Sequence, residues 1–345
     1  MKLLNTWLCA VLIGNAQLFS QPTAGESVAG FYALQDYRYF KAMLADIRRP
    51  TFHTRIYCDE AVKFSNRGVT GKHKFWDVAY GGFFPMLGYN FEGRPAGEMM
   101  TTKGAALFIE ASAHMLLDFD TPSADVINTD FRIGAGVAAR PFRNVSWRYK
   151  FFHESTHIGD EYTLTAAADS LFRRYNVSYE AHELFLAFDH YRRQPQNFLD
   201  FAGLRFYAGG RRLNSQAFED FRDRRRKRAL KAKDKNEWQL GGEIFLFGTP
   251  LPASTKIKFG DYFKRIIKPQ YFVVAADFYR RDKYAVETPR KAWSYNFAAG
   301  LIYGAYLEGQ RSTKLLINYY RGVNPHGQLR MDEISYLGLD YSIDF

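Results

Sequence analysis

Residues 151–162 read FFHESTHIGDEY and set His153, Ser155 and His157 at alternating positions, with Asp160 and Glu161 close behind. Serine is a weak nucleophile until a neighbouring imidazole takes its proton, and a carboxylate can hold that imidazole in the useful tautomer. A second stretch, SYEAHELFLAF at 178–188, offers Ser178, Glu180 and His182 at the same spacing. One chemistry open to this set is ester hydrolysis, with Ser155 as nucleophile, His153 as base and Glu180 as orienter. Another is metal binding by His153 and His157, completed by His182 or Glu161. A third reading needs no chemistry: the same residues would form the polar rim of an otherwise apolar surface.

The elements that must position these residues are strands. In 144–158, Val145, Trp147, Tyr149 and Phe151 fall on one face and Arg148, Lys150 and Glu154 on the other, the period of two that a strand imposes. If the first face meets lipid, the charges must point inward, because Arg or Lys facing lipid near the midplane costs roughly 2–4 kcal/mol. His153 and Ser155 then continue the outward row to the boundary where lipid head groups lie. On the returning strand Leu184, Leu186 and Phe188 face lipid, which puts His182, Glu180 and Ser178 on the same side. An antiparallel register with Lys150 opposite Glu183 sets His153 opposite Glu180 and Ser155 opposite Ser178. Opposite charges across such a pair contribute roughly 0.2–1 kcal/mol.

The same alternation runs through the chain. Comparable segments occur near 52–66, 74–90, 101–118, 129–141, 144–158, 176–190, 198–210, 237–248, 267–279, 291–307 and 312–324, and with the last strand they make about twelve, an even number. Ala105, Leu107, Ile109, Ala111, Ala113 and Met115 alternate with Phe108, Glu110, Ser112 and His114, giving a lipid face and a luminal one, with His114 filling the lumen. In the last strand Leu337, Leu339, Tyr341, Ile343 and Phe345 share a face. No run approaches the roughly 18 apolar residues a membrane helix needs. With 47% apolar and 17% aromatic residues but a mean hydropathy of −0.34, the apolar residues must be interleaved with polar ones. The fold expected is all-β, an antiparallel transmembrane β-barrel. If the chain enters from the periplasm, the short connections at 141–144 and 309–311 lie inside and the long ones, 159–175 and 211–236, outside; 249–266 is long for an inner turn. Large luminal residues, Phe108, Tyr207 and Tyr336, favour a filled lumen over a pore open end to end.

The first twenty residues have the form of an export signal: Lys2, an apolar stretch from Leu8 to Ile13, and Gly14-Asn15-Ala16 for cleavage. Three segments follow: 1–20 the signal peptide, 21–50 an N-terminal periplasmic segment, and 51–345 the barrel. Cys9 leaves with the signal and Cys58 stands alone, so there is no intrachain disulfide. The excess of 47 basic over 36 acidic residues is concentrated in FRDRRRKRALKAKDK at 221–235. In an exported barrel that loop meets no nucleic acid, and its guanidinium groups suit lipopolysaccharide phosphates or simply a solvated loop.

Three stretches carry a resemblance: FKAMLADIRRPTF at 40–52, SADVINTDFRIGAG at 123–136 and FHESTHIGDEY at 152–162. In that order they resemble landmarks of a bacterial family catalogued as domain of unknown function 1207 and grouped with outer-membrane barrels. The resemblance implies a barrel in the outer membrane and no particular activity. The terminal alternation ending on Phe345 likewise resembles the strand that the barrel assembly machinery reads. His153-Glu154-Ser155 resembles the His-x-Ser element of outer-membrane phospholipase A and of the lipid A deacylases, whose sites face lipid; Thr156-His157 follows here where Asn-Gly or a similar pair usually follows there. From this come a lipid acyl-ester hydrolase as the sharper expectation, calcium as the cofactor the resemblance admits, and outer-membrane lipids and lipopolysaccharide as partners. The competing class is a narrow transport pore or a structural barrel without catalysis.

Overall fold

A computed structural model describes residues 29–34, 39–59, 73–92, 102–121, 123–166, 175–192, 201–220, 235–246, 269–285, 290–304, 306–307 and 312–344. A strand that alternates large apolar and charged residues can bury its charged face only if the sheet closes around it. Among the described residues thirteen strands form: β1 Gly30–Ala33, β2 Phe52–Asp59, β3 His73–Asn90, β4 Gly104–Asp118, β5 Asp125–Phe142, β6 Val145–Ile158, β7 Tyr175–Tyr191, β8 Phe201–Asp220, β9 Asn236–Leu246, β10 Tyr271–Lys283, β11 Arg290–Gly304, β12 Ser312–Val323 and β13 Glu333–Asp344. Strands β2 to β13 pair antiparallel in a ring that β3 and β4 close, making a barrel of twelve. β1 is an extra short strand on the overhanging end of β3, Gly30 opposite Asn90. One helix, α1 (Asp160–Ala166), follows β6; its end of the barrel is called the α1 end, and the other, where Arg143 and Asn144 join β5 to β6, the turn end.

The two faces fall as the alternation requires. Leu107, Ile133, Leu186, Leu337 and Leu339 are exposed on the outside, while Glu110, His114, Arg148, Lys150, Glu154 and Asp340 are buried within. The luminal charges neutralise one another: Lys150 Nζ lies 2.5 Å from Glu110 and 3.3 Å from Glu183, and Arg148 is 2.9 Å from Glu183. Phe108, Tyr207 and Tyr336 are buried in the lumen as expected.

Two non-strand segments also enter the lumen. From Tyr39 to Pro50 almost every residue is buried, and the contacts are with inward side chains from around the ring. Arg205 donates to the carbonyls of Lys41 and Ala42, the Leu44 amide donates to Glu243, Asn296 donates to the carbonyl of Ala45, and Arg49 pairs with Asp340 at 2.9 Å. The last dozen residues of the stretch 21–50, expected as an N-terminal periplasmic segment, thus run inside the barrel. The physical reason is charge: the ring presents Glu243, Asp340, Asp130 and Glu154 inward, and the arginines of the segment pair with the last three. From the α1 end, the β12–β13 connection folds inward too, with Asn324, His326, Gln328 and Arg330 buried. The stretch 1–20, Phe345, most of the basic loop at 221–235 and the 249–266 connection lie outside the described residues.

Candidate active site on the outer face

Strand parity decides which residues of FFHESTHI can meet lipid. Along β6 the even-numbered residues 146–158 are buried and the odd ones 145–157 are outward, so His153, Ser155 and His157 share the outer face with Val145, Trp147, Tyr149 and Phe151. β7 runs back beside it with Lys150 opposite Glu183, His153 opposite Glu180 and Ser155 opposite Ser178, the register the charge pairing requires. A carboxylate can only accept, so His153 Nδ1 carries the proton it donates to Glu180 Oε1 across 3.1 Å. That bond fixes the ring and its tautomer and leaves Nε2 as the basic nitrogen. The pair is half-exposed, as befits a position near the upper end of the strand wall.

Ser155 Oγ has no hydrogen-bond partner among the described residues. The structure therefore joins two of the three expected members, His153 and Glu180, and sets Ser155 beside them without a bond. The Ser155 backbone is opposite Phe131 on β5 and that of His153 opposite Ile133; both neighbours are exposed apolar side chains.

The remaining candidates behave differently. His182 is turned to the Tyr149 hydroxyl, 2.7 Å from its Nδ1, and packs against Phe151 with ring centroids 5.0 Å apart. His157 makes an edge contact with Phe131. Glu161 lies in the first turn of α1, where Thr163 donates its amide and its hydroxyl to the Gly159 carbonyl. Gly159 is required at that corner because a Cβ there would lie 1.8 Å from the Val126 carbonyl oxygen. Among the described residues no three His, Cys, Asp or Glu side chains gather closely enough to hold a metal ion.

A second polar assembly, not anticipated from the sequence, sits deep in the lumen where the two inserted segments meet. Asp130 on β5 forms an ion pair with Arg48 at 2.9 Å and accepts from the Gly327 amide at 3.2 Å, and His326 lies 3.6 Å away. His326 reaches on towards Asp77 at 3.8 Å, and Arg55 holds the same carboxylate at 3.0 Å. Gln328 donates to the Thr156 carbonyl on β6. The single sequence sign of this hub was Arg48-Arg49, two adjacent cations without a strand to carry them and so in need of buried carboxylates.

A model of the family described as "Protein of unknown function (DUF1207)" matches residues 20–221. No curated protein matches the chain. Among solved structures the chain is similar to LpxR from Salmonella typhimurium, with 11% sequence identity and a TM-score of 0.36, over 86% of this chain and 100% of that one.

Proposed function

The chain belongs to the DUF1207 family, and we propose that this member is an outer-membrane β-barrel that hydrolyses acyl esters of membrane lipids at the outer face of β6 and β7. The observation that carries the proposal is the hydrogen bond from His153 Nδ1 to Glu180 on the barrel's outward face. The membrane location rests on the apolar outer belt around a closed ring of strands, with no backbone edge left to hydrocarbon along the ring.

In the reaction, Ser155 Oγ attacks the ester carbonyl while His153 Nε2 takes the hydroxyl proton. The proton passes to the leaving alcohol as the carbon–oxygen bond breaks, and the fatty acid stays on Ser155 as an acyl ester. Water then attacks the acyl carbonyl, His153 takes its proton, and the fatty acid leaves as Ser155 Oγ recovers a proton. Glu180 does not exchange protons; it orients the imidazole and stabilises its charged form. The mechanism requires Ser155 Oγ to bond Nε2, a contact of the kind that commonly tightens only when substrate is bound.

A transport pore is the weaker reading. The segment 39–50 and the β12–β13 connection occupy the lumen from opposite ends and meet at Asp130, which leaves the ring filled rather than open.

The test is fatty-acid release by detergent-solubilised protein from phospholipid and from lipid A, each with and without calcium. Wild type should release fatty acid from at least one class, and Ser155→Ala should not. Release unchanged in Ser155→Ala, or none from wild type in any condition, sinks the hydrolase and leaves His153, Ser155 and Glu180 as a polar collar.

A further inference from the structure

Arginine is expensive on the lipid face of a barrel, roughly 2–4 kcal/mol at the midplane and close to nothing only near the interface. Arg280 is nevertheless outward and exposed on β10. Its cross-strand neighbours in register are Trp238 on β9 and Trp293 on β11, both exposed. Arg321 on β12 is also outward, opposite Tyr295. Among the described residues no carboxylate pairs with Arg280 or Arg321. Tryptophan beside arginine near the strand ends marks the head-group level, where an indole is apolar at one end and polar at the other.

Directly along the strands towards the turn end, the same face is hollow. A groove of about 720 Å³ runs between β8 and β13. Its floor is made by the small outward residues Gly242, Ala276 and Ala299, and its sides include Phe206, Phe297 and Ile317. Ala276 is four residues from Arg280 along β10, about 13 Å at the rise of a strand. An anion seated on Arg280 therefore has an apolar channel leading away from it into the hydrocarbon.

We propose that the outer face of β9–β12 is a docking site for one phosphate-bearing acyl lipid, with the phosphate on Arg280 and one acyl chain in the groove. The guanidinium group offers the forked donors that a phosphate accepts, and the uncompensated charge supplies the complementarity that a neutral lipid lacks. The site is several strands from His153 and Glu180 around the ring and does not depend on hydrolysis there.

The test uses the full chain in detergent, as wild type and as Ser155→Ala so that retention and turnover are read separately. Dioleoyl phosphatidic acid or dioleoylglycerol is added, and bound lipid is counted by native mass spectrometry. One phosphatidic acid should be retained per barrel and diacylglycerol should not. Arg280→Gln should lower retention roughly tenfold, as loss of one charge-assisted contact implies. Ala299→Phe, which fills the groove without touching the arginine, should lower it similarly, whereas Arg212→Gln on β8, outside the groove, should leave it unchanged. Equal retention of diacylglycerol, or unaltered retention in either Arg280→Gln or Ala299→Phe, overturns the site.

Discussion

His153 is held on one side only: Nδ1 is bonded to Glu180 and Nε2 remains available. Loss of the imidazole should therefore remove hydrolysis almost as completely as loss of Ser155, because members of a catalytic unit are not additive. Glu180→Ala should retain more activity than His153→Ala, since water can partly replace an orienting carboxylate, and Glu180→Gln should fall between wild type and Glu180→Ala. Initial rates of fatty-acid release rank the four proteins. A Glu180→Ala variant less active than His153→Ala contradicts the roles assigned. Inside the lumen the same scale gives a stability effect. Asp130→Ala takes from Arg48 its nearer carboxylate, leaving Glu154 at 3.7 Å, and from the Gly327 amide its acceptor, a loss of up to about 3–5 kcal/mol, the range for a buried pair broken from one side. The temperature at which the compact form on unboiled gels converts to the slow one should fall in Asp130→Ala, and an unchanged temperature excludes the hub. The outward placement and register of His153, Ser155 and Glu180 were legible in sequence because strand parity and one charge pair, Lys150 with Glu183, fix which residues face each other. The hub was not, because Arg48, Asp130 and His326 are far apart in sequence and neither inserted segment has a period to reveal its partners.

Elements were legible to the extent that they alternate. β4, β6 and β13 present the residues assigned to each face, and the ring of twelve follows from the same pattern. Ends were less so: β8 continues to Asp220, well past the point where its apolar alternation fades, because antiparallel pairing with β7 runs on to Tyr175 opposite Asp220. The two inserted segments carry no strand signal, and FKAMLADIRRP mixes apolar residues with the cations Lys41, Arg48 and Arg49 in no strand period, so its partners show only once the inward carboxylates are known. Their insertion makes a prediction at this scale. A Cβ on Gly327 would lie 2.1 Å from the Thr156 side chain, so Gly327→Leu should drive the β12–β13 connection out of the lumen. In planar bilayers wild type should show little steady conductance, and Gly327→Leu should show more frequent openings. Large steady channels in wild type would restore the pore.

At the scale of the molecule, this is a closed barrel with two segments inserted in its lumen, and the proposed function puts its working surface on the outside. Among the described residues the interior is given to ion pairs and aromatic rings that hold two segments in place, and the groups proposed to meet another molecule, His153 with Ser155 and Arg280 with its tryptophans, are outward. Such a protein should co-fractionate with outer membranes and migrate anomalously without boiling; recovery as a detergent-free periplasmic monomer is incompatible with it. The most direct measurement of lipid hydrolysis at this face is acylation of the serine itself. Detergent-solubilised protein is treated with a serine-directed acylating probe and the labelled residue is found by peptide mass spectrometry. Label is expected on Ser155 in wild type, more weakly in Glu180→Ala and not at all in His153→Ala. Wild type left unlabelled at Ser155, or equal labelling with and without His153, contradicts the mechanism.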